Sequence, residues 1–241
     1  FSADAFGSFG ALSGNLFADQ TDFDEVFLNE ARRYYANIVG KYGQQVQLAL
    51  KKVAGRKVNL LCPLHGPVWR KDIDRFIGLY DTWSSYRPEQ KGVLLAYGSM
   101  YGNTEEAAEI VAARLSQRGV SSLRMYDISK THLSYLIADI YRFSHLVLAA
   151  PTYNNGLYPG METLLHDMAA LNIQNRKVAL VGNGSWAPAS AKIMAERLAA
   201  MKNMTLVAEP VVLKSAVNGE TLPALQALAD KIADSLKQEQ I

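Results

Sequence analysis

The stretch G-S-M-Y-G-N-T-E, Gly98–Glu105, constrains this chain more than any other. It follows an apolar run, Val93–Tyr97, and opens a segment rich in Ala, Glu and Arg. A strand, a loop of glycines and hydroxyl residues, and then a helix is a local recipe for holding a phosphate. Successive backbone N–H groups converge on the anion, with the positive end of the helix dipole behind it. Ser99, Asn103 and Thr104 add side-chain donors, and Gly102 lets the backbone curl closely. No Lys follows, as a Walker-type triphosphate loop requires, and the glycines do not fall in the G-x-G-x-x-G order of dinucleotide folds. A lysine-free cradle of neutral donors suits a phosphate monoester, and FMN is the common ligand of that kind. Taken alone, the same residues also read as a turn capping a helix, with Asn103 or Thr104 as N-cap.

The surroundings of this loop are regular. Apolar runs at Val93–Tyr97, Leu123–Ile128, Leu146–Ala150, Val178–Val181 and Leu206–Leu213 predict five strands. Helical patterns separate them at Glu105–Arg118, Leu133–Phe143, Met161–Leu171 and Ala189–Lys202, and a last one covers Leu222–Leu236. Such alternation implies a parallel sheet covered on both faces, with a ligand beyond the carboxyl ends of its strands. The loop after the third strand is P-T-Y-N-N-G-L-Y-P-G, Pro151–Gly160, and the loop after the fourth is G-N-G-S-W-A-P-A-S, Gly182–Ser190. Both stand on the same edge as the phosphate loop. They offer aromatics (Tyr153, Tyr158 and Trp186) for the flat faces of an isoalloxazine ring, and Asn154, Asn155 and Gly156 supply a flexible peptide near its redox centre. The alternative is a set of loops that hold no cofactor, in which Trp186 and Tyr101 pack against their neighbours.

The first third differs. Residues 1–20 are rich in Gly, Ser, Ala and Phe and read as strand end and loop. A helix is predicted from Asp22, with Asp22 or Asp24 as its cap, interrupted at Gly40 and Gly43 and resuming over Gln44–Val53. Lys57–Cys62 is a buried-strand candidate, followed by a turn-rich loop around His65 and a helix over Asp72–Ser85. Pro88, Glu89 and Gln90 mark a junction, which divides the chain into 1–88 and 89–241. The first part holds too little regular sheet to close a core of its own and reads as the tail of a larger domain. The chain begins at Phe1, without an initiator Met, which suits a fragment.

Composition excludes several classes. Charges are interspersed, with a formal net charge of +2 and no basic run, which argues against a nucleic-acid surface. No apolar stretch approaches the ~20 residues that span a bilayer. Cys62 is the single cysteine and takes part in no internal disulfide; with no visible signal peptide, a cytoplasmic location is expected.

With three loops in order, residues 92–241 resemble the flavodoxin family. S-M-Y-G-N-T is similar to its [ST]-x-[ST/Y]-G-x-T phosphate loop. The resemblance implies that Ser99, Met100, Tyr101, Gly102, Asn103 and Thr104 hold the FMN phosphate. Pro151, Thr152, Tyr153, Asn154, Asn155 and Gly156, with Gly184, Ser185 and Trp186, then flank the ring. The first part narrows this. F-S-x-D-A-F-G-x-F-G at the start and P-x-H-G-P-x-W-R before the junction resemble the closing half of the metallo-β-lactamase-like domain of flavodiiron proteins. The expected fold is thus α/β: a flavodoxin-like, five-stranded, doubly wound parallel sheet preceded by the C-terminal portion of an αββα metallo-β-lactamase-like domain.

In that family the Asp of the first motif bridges two irons and the His of the second ligates one, roles that fall here on Asp4 and His65. Carboxylate and imidazole are also the expected donors for non-haem iron. The family draws its other ligands from an H-x-E-x-D segment and a further His upstream of the first motif, and nothing in this chain supplies them. His132, His145 and His166 are surface or packing residues on this reading. The resemblance implies an oxidoreductase that takes electrons from a rubredoxin-like donor through FMN to a di-iron site, reducing O2 to water or NO to N2O. It further implies a head-to-tail homodimer, alone or paired into a tetramer. The rival reading is an FMN-binding electron-transfer protein without a working metal site, in which Asp4 and His65 lie far apart. A metallo-β-lactamase-type hydrolase lacks its histidine-rich motif here.

Overall fold

The computed structural model describes residues 1–239. Its second part is built on strands β1 (Gln90–Tyr97), β2 (Leu123–Asp127), β3 (Phe143–Tyr153), β5 (Arg176–Asn183), β6 (Met204–Leu206) and β7 (Val211–Leu213). They lie parallel in the order β2-β1-β3-β5-β6, with β7 beside the far end of β5. Strand order reverses between β1 and β3, which opens a crevice at their carboxyl ends. Alternate residues of the central strands enter opposite cores. Leu94, Ala96, Leu146, Leu148, Val178 and Leu180 face one, and Val93, Leu95, Val147, Ala149, Ala179 and Val181 face the other. Both faces are apolar because both are covered by helices, the expected state of a parallel sheet.

The helices are α5 (Asn103–Gln117), α6 (Leu133–Arg142), α7 (Pro159–Ala170), α8 (Ser190–Ala199) and α9 (Thr221–Gln238), each within a few residues of its predicted span. Helix α5 ends where Gly119 turns left-handed, and Val120 N–H reaches back to Leu115 C=O, which satisfies a terminal carbonyl. The fifth expected strand, Leu206–Leu213, is corrected to two short ones. β6 pairs with Arg176–Val178 and β7 with Val181–Asn183, and the chain bows out between them at Pro210, which has no N–H to give a neighbour. A second difference is a hairpin: β3 runs on to Tyr153 and returns antiparallel through β4 (Gly156–Leu157). Asn154 and Asn155 form its turn, both with positive φ (48° and 58°), as the favoured two-residue hairpin turn requires.

The first part has no strand of its own among the described residues. Helices α1 (Phe23–Val26), α2 (Leu28–Tyr34), α3 (Gly43–Val53) and α4 (Ile73–Ser84) supply it. Asp22 caps α1 by accepting from Glu25 N–H. Between α2 and α3 the chain does not break at Gly40 and Gly43; it loosens into a π turn (Tyr35–Val39) and tightens into a 3-10 turn (Gly40–Tyr42). Lys57–Cys62 is not a strand: Leu61 alone pairs, with Trp69, and Leu60 is half exposed. A strand needs a neighbour along its length, and here only Leu61 forms a bridge, while Cys62 adds one hydrogen bond to Ser2 at its end.

This part is held by aromatic rings. Trp69 stacks on Phe76 at 4.3 Å, Phe23 meets Trp69 edge-on at 4.4 Å, and Tyr35 bridges Tyr80 and Trp83 to Tyr141 of α6. That last contact makes the aromatic cluster continuous with one face of the sheet. Two buried arginines reinforce the joint. Arg32 pairs with Glu89 through two 2.6 Å hydrogen bonds, and Glu89 also accepts from Trp83 Nε1. Arg176 donates to the carbonyls of Ile140, Tyr141, Tyr86, Gln174 and Asn175.

Candidate functional site

The carboxyl ends of β1, β3, β5 and β7 converge on one crevice. The first wall is the Gly98–Glu105 loop. Gly98 leaves β1 with no room for a side chain, since a Cβ would stand 2.5 Å from the Tyr158 ring. Tyr158, expected among the exposed aromatics, is therefore a packing residue that seats this loop. Ser99 Oγ accepts from Gly102 N–H (3.1 Å) and closes the loop on itself. Gly102, at φ 87°, is the N-cap of α5, so neither Asn103 nor Thr104 caps it, and a Cβ at Gly102 would meet no neighbouring atom. The first-turn N–H groups of α5 lack intrahelical carbonyls and face the crevice with the positive dipole end.

Two acidic residues, Glu105 and Glu106, also occupy that turn. Glu105 is drawn aside by Tyr97, whose hydroxyl donates to Oε1 at 2.8 Å. Burial, and then Glu105 itself, push the Tyr97 hydroxyl well above its ordinary range, so it stays a donor.

Ser99, Met100, Tyr101, Asn103 and Thr104 line a cavity of about 110 Å³ with Pro151, Thr152, Gly184 and Ser185. It continues into a larger cleft of about 520 Å³, walled by Met100 and Tyr101 on one side and by Tyr153, Asn154, Asn155 and Trp186 on others. The larger cleft falls in the ~300–1,000 Å³ range of small-molecule sites. Of the residues expected at the phosphate and the ring, all but Gly102 and Gly156 line one of these two spaces. Gly102 caps the helix behind them, and Gly156 pairs with Tyr153 in the hairpin.

The aromatic walls are unusually open. Trp186 is 89% exposed, Tyr101 88% and Tyr153 43%. The alternative in which Tyr101 and Trp186 pack against loops is thereby excluded. Large flat side chains left bare around a concave site, beside a ring of neutral donors, suit a planar aromatic ligand that carries an anion, and FMN has that shape. The donor set therefore fits FMN.

Hydrogen bonds tie the walls together. Thr152 Oγ1 accepts from Ala189 N–H (2.8 Å) and Ser190 N–H (3.1 Å), joining the β3 loop to the start of α8. Asn183 joins the first turn of α5 to the segment after β7, through Thr104 and Ser215. Asn183 and Ser215 also line the smaller cavity, and neither was expected from the sequence. Asn183 lay within a loop already marked, G-N-G-S-W, but Ser215 follows a short strand with no motif of its own.

The candidate metal residues come together, although they lie on different segments. Residues 2–8 run beside 62–66 through Ser2 N–H to Cys62 C=O, Leu64 N–H to Ala3 C=O and Ser8 N–H to His65 C=O. This brings His65 Nε2 to 3.7 Å from Asp4 Oδ1, which counters the rival expectation that the two lie far apart. Tyr34 donates to the same Asp4 oxygen at 3.2 Å. Among the described residues, however, no group of three or more His, Cys, Asp or Glu side chains is placed to hold a metal ion. Asp4 and His65 thus do not fit a complete di-iron centre by themselves. The other histidines stand elsewhere: His132 caps α6, His145 is buried in β3, and His166 is exposed on α7. Among the described residues no helix is long and apolar enough to cross a membrane.

Comparison with known proteins agrees with this geometry. The flavodoxin family model matches residues 95–227. The chain is 32% identical to a nitric oxide reductase of Moorella thermoacetica, over 95% of this chain and 57% of that protein. It is 30% identical to a rubredoxin-oxygen oxidoreductase of Megalodesulfovibrio gigas, over 98% of this chain and 58% of that protein. The solved rubredoxin oxygen:oxidoreductase of Desulfovibrio gigas superposes with a TM-score of 0.89 at 28% identity, over 98% of this chain and 59% of that one. The flavodiiron protein of Giardia intestinalis shares the fold, with a TM-score of 0.88 at 22% identity over 99% of this chain and 59% of that one. The chain thus spans less than three fifths of the length of these proteins.

Proposed function

The chain belongs to the flavodoxin family, and from that premise we propose that residues 89–241 form an FMN-binding domain that passes electrons. Ser99, Met100, Tyr101, Gly102, Asn103 and Thr104 take the phosphate. Pro151–Gly156 and Gly184–Trp186 flank the ring. The observation that carries this is the pair of bare aromatics, Tyr101 and Trp186, standing over a lysine-free loop at a helix N-terminus.

FMN, when bound, carries one or two electrons and so links one-electron donors to two-electron chemistry. The protein residues do the rest. The loop N–H groups and hydroxyls would stabilise the phosphate charge by hydrogen bonds, without a counter-cation. Tyr97 keeps the Glu105 carboxylate off the anion. The 154–155 turn offers peptide groups at the cleft wall, and the open aromatic side of the cleft would leave a bound flavin within reach of a redox partner.

For the whole protein we propose a flavodiiron oxidoreductase, supplied by a rubredoxin-like donor, that reduces O2 or NO. Residues 1–88 are then the closing portion of its metallo-β-lactamase-like domain, with Asp4 and His65 contributing to the iron centre. A cytoplasmic location and a head-to-tail homodimer belong to the same proposal. For this chain by itself, the incomplete ligand set favours the narrower reading, an FMN electron-transfer unit.

Metal analysis and flavin extraction on one aliquot of the purified chain test both levels. We expect about one FMN per chain and iron well below two per FMN. Failure to bind FMN even on reconstitution overturns the central reading. Two irons per FMN overturns the statement that Asp4 and His65 are only part of a centre.

A further inference from the structure

Asn183 is the last residue of β5, 5% exposed, and its side-chain amide faces the peptide of Ser215. Ser215 N–H donates to Asn183 Oδ1 at 3.0 Å, and Ser215 C=O accepts from Asn183 Nδ2 at 3.0 Å. A peptide N–H can only donate and its carbonyl can only accept. Flipping the amide would set like against like at both contacts, so its orientation is fixed by the backbone. The second Nδ2 hydrogen is directed at Thr104 Oγ1, 3.3 Å away.

Thr104 is 2% exposed, in the first turn of α5, and lines the smaller cavity. A threonine hydroxyl has one proton and can serve as donor or acceptor. Here it accepts from Asn183, which commits a lone pair and leaves the proton for a different acceptor. Among the described residues no acceptor takes it. We propose that Asn183 is a positioning residue that sets the polarity of the Thr104 hydroxyl and makes it a dedicated donor into the cavity. The ligand feature it favours is an ionised phosphate over a neutral sugar hydroxyl, because the bond that a fixed donor makes to an anion is charge-assisted and roughly twice as strong. This rests on the FMN reading and adds to it a source of discrimination between FMN and the dephosphorylated flavin, riboflavin.

The test is a set of flavin-fluorescence titrations on the whole chain with FMN and riboflavin. Thr104→Val is measured alone and in the Asn183→Ala and Asn183→Asp backgrounds. A hydrogen bond to a charged acceptor leads us to expect Thr104→Val to weaken FMN roughly 10-fold or more, with riboflavin affinity within about twofold of the unchanged chain. In the Asn183→Asp background the carboxylate takes the Thr104 proton, so Thr104→Val costs little further FMN affinity; in the Asn183→Ala background the hydroxyl is free to turn and Thr104→Val costs several-fold less than in the unchanged chain. Asn183→Asp is nearly isosteric and covers the case in which Asn183→Ala fails to fold.

If Thr104→Val costs the same factor with and without Asn183, or if both flavins weaken together, the polarity proposal is overturned while FMN binding stands. An unchanged chain that binds neither flavin overturns the FMN reading and this proposal together.

Discussion

His65 Nε2 stands 3.7 Å from Asp4 Oδ1 with both side chains 57% exposed. A polar contact so open to water contributes about 0–1 kcal/mol to folding at most. The fold therefore does not depend on this contact. His65→Ala is expected to change the unfolding free energy by less than ~1 kcal/mol in urea titration. A loss several times larger would mean that the histidine is a structural residue.

Three tryptophans report on different places. Trp69 and Trp83 are buried in the aromatic cluster, at 3% and 0% exposure, while Trp186 is 89% exposed at the cleft. Emission from the free chain should carry a red-shifted, water-exposed component that FMN quenches on binding. Trp186→Ala should abolish that quench and weaken FMN by roughly 1 kcal/mol or more, about the worth of an aromatic pair together with its burial. Quenching that survives the substitution would put the flavin near the buried pair and away from this cleft.

His145 predicts an acid sensitivity. It is 1% exposed, its ring nitrogens face Ser144 Oγ and Ser235 Oγ, and burial lowers its pKa from 6.5 to about 4, with Lys177 adding to the shift and Glu239 opposing it. Between pH 6.5 and 4 the unfolded chain takes up a proton that the folded chain refuses. Stability therefore falls as the pH falls through that window, by at most ~3 kcal/mol from this group. His145→Gln should flatten the acid limb of a plot of unfolding free energy against pH. An unchanged slope would assign the sensitivity to other groups.

Much of the site was legible in the chain because its chemistry is local. A Gly-containing loop of hydroxyl residues between an apolar run and a helical pattern states its own geometry. The rule that ligands sit at the carboxyl ends of parallel strands then adds the Pro151 and Gly184 loops without knowledge of packing. What escaped is non-local. Tyr158 looked like a ring-facing aromatic, but the absence of a side chain at Gly98 leaves the space in which it packs. Ser215 reaches the site only because β7 sits beside the end of β5, after a break from β6 that hydrophobic pattern does not reveal. Lys57–Cys62 has the composition of a strand, yet composition cannot provide the neighbour that would make it one. Asp4 and His65 were brought together by family likeness alone, since a single carboxylate and a single imidazole carry no spacing signal.

A division at 88/89, expected from the sequence, would make two separable parts, but Arg32 and Glu89 predict joint unfolding. The Arg32 guanidinium is 2% exposed and lies in α2, while Glu89 immediately precedes β1 and also holds Trp83 Nε1. The pair thus ties two helices of the first part to the start of the sheet, on top of a core that runs unbroken from Phe76 to Leu148. Removing one partner strands a buried charge, which costs more than the pair itself is worth. Glu89→Gln should cost ~3–5 kcal/mol, whereas the double change Arg32→Met with Glu89→Gln should recover a large part of that loss. Because core and ion pair are shared, the chain should melt in one calorimetric transition, and Glu89→Gln should lower that transition as a whole. Two resolved transitions, with only the first shifted by Glu89→Gln, would mean that residues 1–88 fold independently of the sheet.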